Sequence, residues 1–395
     1  MRKLMLGLMA LIAFGGAVAW FWTRGGHQGG PDEMAGGVSA GGLPDIVVGL
    51  GLPLTGPEAG FGTQVRTGAE FAIQIINANG GIEGRKIVLE TVDDGCTAEG
   101  GARAANDLVA DHVVAVIGHF CSAASRAAAA VYGPAGVVMI TPGSSDPRLT
   151  DDTPAGGGMV FRTVWRDDYQ GILTAALIKQ SMGGKKVAVV RDGTLYGQQL
   201  ANVFKAALAK LELPAPAADL VLGDDLTAKA AAAKIRSSGA GVVFVVAKPG
   251  AAGGLVKALR QGGVTASIVG PDALASPEFA DTAGKAADGA IITFARNPLD
   301  YPTAAKAIEK MVAMGLDPSG YALNAFAAAE VLTAALRPVV KPDPRGAIDG
   351  KRLAATIRVN RFTTVLGELA FDANGDLARP GVVYYVWKGG ELQAM

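Results

Sequence analysis

Small hydroxyl side chains follow two apolar runs of the chain that are rich in β-branched residues. Ser122 comes after the run 113–117, and Ser145 comes after the run 137–140. If both runs are strands that lead into helices, free N–H groups and the positive end of a helix dipole attract an anion at these points. The pattern therefore predicts half of a ligand site that suits a carboxylate. The alternative is that both serines only cap helices, which is common at such loops.

A carboxylate stands in a comparable place later in the chain. Asp272 follows the short apolar run 267–270 and a proline. In open α/β sheets, ligands bind outside the carboxyl ends of the strands, so this side chain could pair with a ligand's ammonium group. A zwitterion held by one lobe at its carboxylate and by the other at its ammonium would favour closure of the two lobes. The alternative is a surface turn residue.

The chain has two cysteines, Cys96 and Cys121. In an exported chain, an even cysteine count favours one disulfide, and a closed loop of about 25 residues would stabilise the fold by roughly 3 kcal/mol. A metal site would need more ligands than Cys121 and His119 supply. A catalytic cysteine would need a partnered thiolate, which a disulfide removes.

Motifs for catalysis do not appear in the sequence. It contains no G-x-S-x-G elbow, no G-x-x-x-x-G-K-[ST] loop and no H-E-x-x-H pair. With only His27, His112 and His119, a histidine-based triad has few candidates. The 36 basic residues balance 36 acidic ones, so no basic face indicates nucleic acid. Composition and motifs thus favour a binding protein over an enzyme.

The elements that must position these side chains alternate between short apolar runs and helix-length segments. We expect strands at 45–50, 86–91, 113–117, 137–140, 186–191, 241–247, 267–270, 290–294 and 382–387, and helices at 63–79, 98–111, 123–132, 169–182, 198–211, 250–261, 302–315 and 321–336. This rhythm predicts an α/β fold with parallel sheets, and it restarts midway along the 395 residues. Two similar doubly wound, Rossmann-like lobes are therefore expected.

The N-terminus reads as a targeting segment. Arg2 and Lys3 precede an apolar stretch that ends in Ala-Val-Ala at 17–19, which predicts a signal peptide cleaved before Trp20. The competing interpretation is an uncleaved membrane anchor, because 4–22 is about long enough to span a bilayer. We therefore assign 1–22 to a signal peptide or anchor. The Gly-rich segment 23–43 is predicted to be a flexible linker.

Short segments throughout the chain resemble the family of periplasmic leucine/isoleucine/valine-binding proteins, the branched-chain amino acid type of ABC-transporter substrate-binding protein. They are PLTGP at 53–57, IINANGGI at 75–82, DDGC at 93–96, IGHFCS at 117–122, MITP at 139–142, YG at 196–197, GPD at 270–272, DPSG at 317–320 and FDANGDL at 371–377. The resemblance implies a type I periplasmic-binding fold with two lobes joined by a three-crossing hinge, near 164–167, 294–297 and 379–382. Lobe 1 would comprise 44–165 plus 296–380, and lobe 2 would comprise 166–295 plus 381–395.

The resemblance also implies roles for individual residues. Ser122 and Ser145 match positions that hold an amino acid's α-carboxylate, Gly143 a backbone contact to the ammonium, and Asp272 an acidic residue that pairs with it. Cys96 and Cys121 match the family's disulfide. The full expected ligand-contacting set is Phe61, Phe120, Ser122, Gly143, Ser144, Ser145, Tyr169, Tyr196, Lys248 and Asp272, with Phe61 and Tyr196 as aromatic lining.

Two positions depart from the family pattern. Phe61 stands where the family often has tyrosine, and Lys248 stands where the type protein has an aromatic residue. Lys248 would suit a ligand with a second carboxylate, or it would simply point to solvent. Taken together, we predict a monomeric periplasmic binding protein, without cofactor, metal or catalysis, that delivers a small amino acid to an ABC permease in the inner membrane. The alternative is a sensory receptor of the same fold, soluble or membrane-tethered, for an amide, carboxylate or aromatic acid.

Overall fold

The computed structural model describes residues 42–151, 157–223, 225–341, 343, 345–379 and 381–395. The predicted signal peptide or anchor, and nearly all of the predicted linker, lie outside the described residues. The elements, in chain order, are β1 (Ile46–Leu52), α1 (Ala59–Ala78), β2 (Ile87–Asp93), α2 (Ala98–Ala110), β3 (Ala115–Gly118), α3 (Ser122–Ala135), β4 (Val138–Thr141), α4 (Arg148–Asp151), β5 (Val160–Arg162), α5 (Tyr169–Ser181), β6 (Val187–Asp192), α6 (Leu195–Lys210), β7 (Ala218–Leu222), α7 (Ala228–Ser238), β8 (Val242–Val246), α8 (Pro249–Gln261), β9 (Ser267–Gly270), α9 (Pro277–Ala283), β10 (Ile291–Ala295), α10 (Ala305–Ala313), α11 (Ala322–Val340), α12 (Gly350–Val359), β11 (Arg361–Thr364), β12 (Gly367–Ala370), β13 (Val382–Lys388) and β14 (Glu391–Ala394).

Two separate sheets organise the chain. The first has the order β2-β1-β3-β4-β5, and its strands are all parallel. The second has the order β14-β13-β10-β9-β8-β6-β7, in which β13 and β14 pair antiparallel. We call the first sheet and the helices packed on it lobe 1, and the second sheet with its helices lobe 2. The predicted fold of two doubly wound α/β lobes is confirmed.

The chain passes between the two sheets three times. Crossing 1 (163–168) joins β5 to α5, crossing 2 (296–304) joins β10 to α10, and crossing 3 (371–381) joins β12 to β13. The segments that follow the carboxyl ends of β3, β4, β8 and β9 carry seven of the ten predicted ligand residues, while Phe61, Tyr169 and Tyr196 follow β1, β5 and β6. The residue boundaries predicted for the two lobes stay predictions. They describe which residues would move together as one rigid body, and the sheet topology does not test this.

Helix α11 forms the centre of the lobe 1 core. Fifteen of its residues are buried, and they pack with α1 and with the first sheet. By length and composition alone this helix could cross a membrane, but most of it is covered by the rest of lobe 1. Its apolar character therefore reflects burial on all sides, as expected of a central helix in a large domain.

An ion-pair network joins crossings 1 and 3. The Arg162 side chain is 0% exposed, and its Nε lies 2.6 Å from Asp376 Oδ1. Arg166 Nη1 donates to Asp376 Oδ2 (2.8 Å) and to Asp151 Oδ1 (2.7 Å), while Nη2 donates to Asp168 Oδ2 (2.8 Å). Such buried charges are tolerated only because each has its partner. The network therefore fixes where the two crossings run side by side.

Helix α1 begins four residues earlier than the sequence predicts, at Ala59. The predicted helix, 63–79, left the glycines before residue 63 outside it. Instead, Gly62 lies inside the helix, where an added Cβ would stand 1.9 Å from Pro53 O. Glycine is needed here because the helix packs closely on the preceding loop. Gly62 therefore marks a close contact between helix and loop, and it does not end the helix.

Several elements of the structure were not anticipated from the sequence. They are the edge strands β5, β7 and β14, the hairpin β11–β12 and the helices α4, α7, α9 and α12. The strand β7 is half-exposed along its length, and β14 is mostly exposed. Because they lie at sheet edges, these strands lack the continuous apolar run that identified the central strands.

A buried carboxylate in α11 makes stability depend on pH. Glu330 Oε2 accepts a hydrogen bond from Val365 N (2.7 Å), and burial raises the Glu330 pKa to about 7. Since this folded-state pKa lies above the unfolded value, the folded protein binds more protons, and stability falls as pH rises from about 4.5 to about 7. Glu330→Gln keeps the acceptor and should remove this loss, raising the free energy of unfolding at pH 8 by roughly 2–3 kcal/mol.

Urea unfolding at pH 5 and pH 8 measures the effect of Glu330→Gln. Glu309→Gln is the matched control, because Glu309 is exposed on the neighbouring α10. The control should follow the wild type at both pH values. Equal stabilities of Glu330→Gln and wild type at pH 8 would contradict the prediction.

Candidate ligand-binding cleft

Three aromatic rings of lobe 1 form a wall beside the carboxyl ends of its strands. Phe61 and Phe120 stack with ring centroids 4.8 Å apart, and Tyr321 meets Phe120 edge-on at 4.8 Å and Phe61 at 5.8 Å. Phe61 is 38% exposed, although large aromatic rings are usually covered. We refer to these residues as the aromatic wall. It offers an apolar surface to a ligand side chain.

The loop after β4 is shaped by contacts with the aromatic wall. A Cβ added to Gly143 would lie 2.2 Å from Phe120 Cδ2, so only glycine leaves room for that ring. Gly143 N donates to Thr141 Oγ1 (3.3 Å), which means that a ligand contact at Gly143 would have to come from its carbonyl oxygen. Ser144 N donates to the same hydroxyl (3.0 Å), and Ser144 Oγ donates to Phe120 O (2.9 Å).

Ser144 therefore serves the structure of lobe 1, and its side chain is not exposed. Its side chain is fully buried, and Ser125 Oγ lies 2.5 Å from its hydroxyl. With the amide and the hydroxyl both occupied inside lobe 1, the direct ligand contact expected from the sequence is not supported for Ser144. The reason is that the residue turns inward between its neighbours Gly143 and Ser145.

Ser122 is the first residue of the 14-residue helix α3. The first amide groups of a helix have no partner within it, and here no side chain caps them. Ser122 Oγ accepts a hydrogen bond from Asp146 N (3.4 Å), which ties this helix start to the loop after β4. Free amides, a hydroxyl and the positive helix end together can hold a carboxylate.

The predicted disulfide is confirmed, and it fixes the residue before Ser122. Cys96 and Cys121 are bonded, with Cα atoms 5.3 Å apart. Cys121 is the N-cap residue of α3, so the bond attaches the start of this helix to the loop after β2. The helix end that faces the cleft is thereby held in place covalently.

His119 supports the same loop from inside. The His119 ring is fully buried between Asp94 and Tyr132, whose oxygens lie 2.7 Å from Nδ1 and 3.0 Å from Nε2. Because a carboxylate can only accept, Nδ1 donates to Asp94, while Nε2 and the Tyr132 hydroxyl are hydrogen-bonded to each other. The His119 carbonyl oxygen also accepts from Thr141 Oγ1 (2.6 Å). This histidine therefore acts in packing, and both its nitrogens are occupied.

The sequence pattern suggested that Ser145 leads into a helix, but the structure has no long helix at this point. The helix after it, α4, has four residues and begins at Arg148, so a helix dipole contributes little at Ser145. Instead, Ser145 contacts crossing 1. Asp167 N donates to Ser145 O (3.1 Å), and the Ser145 hydroxyl donates to the Asp167 carboxylate. Ser145 thus lies where lobe 1 meets the hinge.

Lobe 2 contributes a carboxylate held by a tyrosine. The Tyr196 hydroxyl donates to Asp272 Oδ1 (3.1 Å), and Asp272 N donates to Gln170 Oε1 (2.8 Å). Burial raises the pKa of Asp272, while the nearby Gln170 side chain and the hydrogen bonds from the Tyr196 hydroxyl and Ala273 N oppose this effect. Tyr196 is 38% exposed. A partly desolvated carboxylate with fixed orientation is suited to pair with a cation.

Two predicted residues remain, Tyr169 and Lys248. Burial raises the pKa of Tyr169, and the carboxylates of Asp376 and Asp372 raise it further, so its ring lies near crossing 3. The Lys248 side chain is exposed, while Lys248 N donates to Asp192 Oδ2 (2.9 Å) at the start of α8. A ligand role for either residue stays a prediction.

Three residues of the cleft were missed at the sequence level: Asp167, Gln170 and Tyr321. Burial raises the pKa of Tyr321, and the charges of Asp272 and Asp167 act in the same direction. Tyr321 stands directly before α11, far along the chain from the other cleft residues. Asp167 belongs to a charged run, Arg-Asp-Asp, that reads as solvent-exposed. The one available signal was Gln170, a polar residue in the first turn of α5 that stands at helical spacing from the apolar residues Leu177 and Ile178 on the buried face.

Comparison with known proteins finds similar chains over most of the sequence. The family model described as "Periplasmic binding protein" matches residues 45–391. An amino acid binding protein of Pseudomonas aeruginosa is 37% identical over 354 residues, which cover 89% of this chain and 92% of that protein. Leu/Ile/Val-binding protein homolog 1 of Brucella melitensis is 34% identical over 393 residues, covering 99% and 97% of the two chains.

A solved structure shares the fold. The ABC transporter substrate-binding protein of Desulfitobacterium hafniense, in complex with Leu, superposes with a TM-score of 0.67. The two chains are 25% identical, and the match covers 89% of this chain and 100% of that one. Since the family model and the relatives both span most of its length, this chain belongs to the periplasmic binding proteins, in the branch of the Leu/Ile/Val-binding proteins.

Proposed function

We propose that this protein captures a small amino acid between its two lobes and delivers it to an ABC permease in the inner membrane. A branched-chain amino acid is the leading candidate. The protein would act in the periplasm as a monomer and would bind its solute without converting it. Closure of the lobes about the three crossings would present the occupied form to the permease.

The observation that carries this proposal is the opposite chemistry of the two lobes. Lobe 1 offers the uncapped start of α3 with Ser122, which suits an anion. Lobe 2 offers the Asp272 carboxylate, oriented by Tyr196. A zwitterionic amino acid has one group for each, so it gains both contacts only when the lobes approach, and this difference in contacts favours closure.

The aromatic wall supports an apolar ligand side chain. Phe61, Phe120 and Tyr321 present ring faces and edges, and Phe61 carries no hydroxyl that a ligand would have to satisfy. Burying a leucine-sized side chain against such rings contributes about 1.5–3 kcal/mol. The relatives described as amino acid binding and Leu/Ile/Val-binding proteins, and the Leu complex from Desulfitobacterium hafniense, support the same ligand class.

A thermal-shift screen tests the ligand class. The purified protein would be heated with each of the twenty amino acids, with dicarboxylates, with amides and with aromatic acids. A ligand at 100 times its Kd stabilises the folded form by about 2.7 kcal/mol, which is visible as a rise in Tm of several degrees. We expect leucine, isoleucine or valine to give the largest rise.

Two analogues of leucine sharpen the test. 4-Methylpentanoate lacks the ammonium group, and 3-methylbutylamine lacks the carboxylate. Because the proposed site needs both groups, neither analogue should raise the Tm at concentrations where leucine does. A rise with aromatic acids alone, or an equal rise with 4-methylpentanoate, would contradict the proposal.

A further inference from the structure

Four successive helices of lobe 2 end in a basic residue. Lys179 lies in the last turn of α5, Lys210 in that of α6, Arg236 in that of α7 and Arg260 in that of α8. Each of these helices leads into a strand, and the strands β6, β7, β8 and β9 are parallel. All four helix ends therefore lie at the same end of the sheet, opposite the cleft. We call this end the base of lobe 2.

The helix dipole alone does not account for these charges. A cation in the last turn is favoured by the negative end of the dipole, and this holds for any helix. The three helices that alternate with the first four parallel strands of lobe 1 are α1, α2 and α3. None of them has a basic residue in its last turn. Basic helix ends are therefore not required by alternating strands and helices, and those of lobe 2 need a further explanation.

A cavity of about 290 Å³ opens at the base of lobe 2, between the end of α7 and the segments that lead into β6, β8 and β9. The cationic side chains of Lys185 and Arg236 and the hydroxyl residue Thr265 line it, and none of the described residues that line it is acidic. Val264 and Ala266 contribute apolar groups to its wall. The cavity thus combines positive charge, a hydroxyl and an apolar wall.

Packing holds the stem of Lys185 at the cavity. A Cβ added to Gly241 would lie 3.1 Å from Lys185 Cδ and 3.2 Å from Lys185 Cβ, so the aliphatic part of the lysine rests on the glycine backbone. Lys185 lies between α5 and β6, outside any helix, and the residue is exposed. A lysine whose stem is packed in this way keeps its ammonium group in contact with solvent. The charge of Lys185 is therefore accessible to an anion in the cavity.

The arginines at the cavity are not neutralised by carboxylates. Arg236 Nη1 donates to a backbone carbonyl at the end of α8 over 3.5 Å, a long bond that leaves most of its five N–H groups available. Arg260 Nη1 donates to the carbonyl oxygens of Val264 (2.8 Å) and Ala266 (3.0 Å) in the cavity wall. Among the described residues, neither arginine forms an ion pair, and Lys185 forms none. The cavity therefore has positive charge that an anion can neutralise.

We propose that this cavity binds the phosphate group of a small phosphate ester. Lys185 and Arg236 approach the phosphate oxygens from two sides, and the guanidinium group can bond two of these oxygens at once. Thr265 adds a hydroxyl donor, and the apolar wall accommodates the organic part of the ester. The inference goes beyond the function proposed above, because the site lies at the opposite end of lobe 2 from the cleft and does not depend on which solute the cleft takes.

Two measurements on the full-length protein distinguish a soluble ester from a lipid headgroup. Titration calorimetry with glycerol 3-phosphate at low ionic strength tests the soluble form. Co-sedimentation with vesicles of equal parts phosphatidylglycerol and phosphatidylcholine, compared with vesicles of phosphatidylcholine alone, tests the headgroup. We expect binding in at least one of the two measurements, and it should weaken as salt is added, because salt screens exposed charges.

Variants of the cavity show whether the bound phosphate lies there. Lys185→Gln and Arg236→Gln each remove one charged donor, so each should weaken binding about 10-fold. Both residues are exposed, so both variants should keep the wild-type Tm. Lys186→Gln is the matched control, since Lys186 is an exposed neighbour that does not line the cavity. Lys229→Gln removes an exposed charge at the other end of α7. Both controls should keep the wild-type affinity.

The source of the phosphate follows from which measurement responds. Binding of glycerol 3-phosphate that is lost in the two cavity variants and kept in the controls supports a soluble ligand. The same pattern with phosphatidylglycerol vesicles alone supports a lipid headgroup. Absence of binding in both measurements overturns the site. An equal loss in Lys186→Gln also overturns it, because the attraction would then come from surface charge in general. Binding that Lys185→Gln and Arg236→Gln leave unchanged places the anion elsewhere and overturns the site as well.

Discussion

Asp272→Ala should weaken binding of a branched-chain amino acid by roughly 3–5 kcal/mol, which is about a hundred- to several-thousand-fold in Kd. The variant leaves the ligand's ammonium without its lobe 2 partner in a partly desolvated cleft. It also frees the Tyr196 hydroxyl, which now donates to Asp272 Oδ1 (3.1 Å). Calorimetric titration with the amino acid that gives the largest thermal shift measures the loss.

Two further variants are compared with Asp272→Ala. Tyr196→Phe removes one hydrogen bond to the carboxylate and should cost less, about 0.5–2 kcal/mol of binding. Asp219→Ala removes a surface carboxylate of the same lobe and should leave the affinity unchanged. If Asp272→Ala binds as tightly as Asp219→Ala, the ammonium is held elsewhere, and the assignment of the two cleft faces is wrong.

Asp376→Ala should have the largest effect on the fold itself, a loss of about 3–5 kcal/mol in the free energy of unfolding. Asp376 is 1% exposed and serves both Arg162 and Arg166, while Thr150 Oγ1 donates to its carboxylate (3.0 Å). Without it, a guanidinium with no exposed surface is left uncompensated. Asp376→Asn keeps an acceptor and should lose less. Urea unfolding measures each variant.

The exposed pair Arg361–Glu368 provides the control. Its N–O distance is 2.7 Å, similar to those of the buried network, but both side chains are more than half exposed. Glu368→Ala should therefore cost at most about 1 kcal/mol. A similar small loss in Asp376→Ala would show that burial adds nothing to the strength of the crossing network.

The central strands could be predicted because a strand that is buried on both faces has a continuous apolar sequence. The run Val242–Val246 is apolar at every position, and the structure buries all five residues. The edge strand β7 alternates between half-exposed and exposed positions, and a short stretch of that kind is also compatible with a loop. The central strands of the two sheets were therefore predicted well, whereas the edge strands β5, β7 and β14 were not, and β2 was the edge strand that could be predicted.

In the candidate site, too, some residues could be predicted from the sequence and others could not. Ser122 and Asp272 could be proposed because each follows a strand whose carboxyl end faces the cleft. Asp167 and Tyr321 could not, since their positions depend on how distant segments cross. Arg166 and Asp376, for example, are bonded across 210 positions of the chain, and no local pattern encodes that contact. Ser144 shows the reverse error, because a serine in the right loop turns inward.

The glycine at position 68 gives the aromatic wall a property beyond its shape. An added Cβ there would lie 1.8 Å from Ala322 O, so α1 and the start of α11 meet backbone to backbone. Phe61 is carried by α1, and Tyr321 directly precedes α11, which means that the two rings are fixed relative to each other by the main chain. The wall is preorganised: an arriving apolar side chain meets rings already in place, and the entropy cost of ordering them is not incurred at binding. For the function proposed above, this means that lobe 1 alone would select the shape of the solute, before any movement of lobe 2.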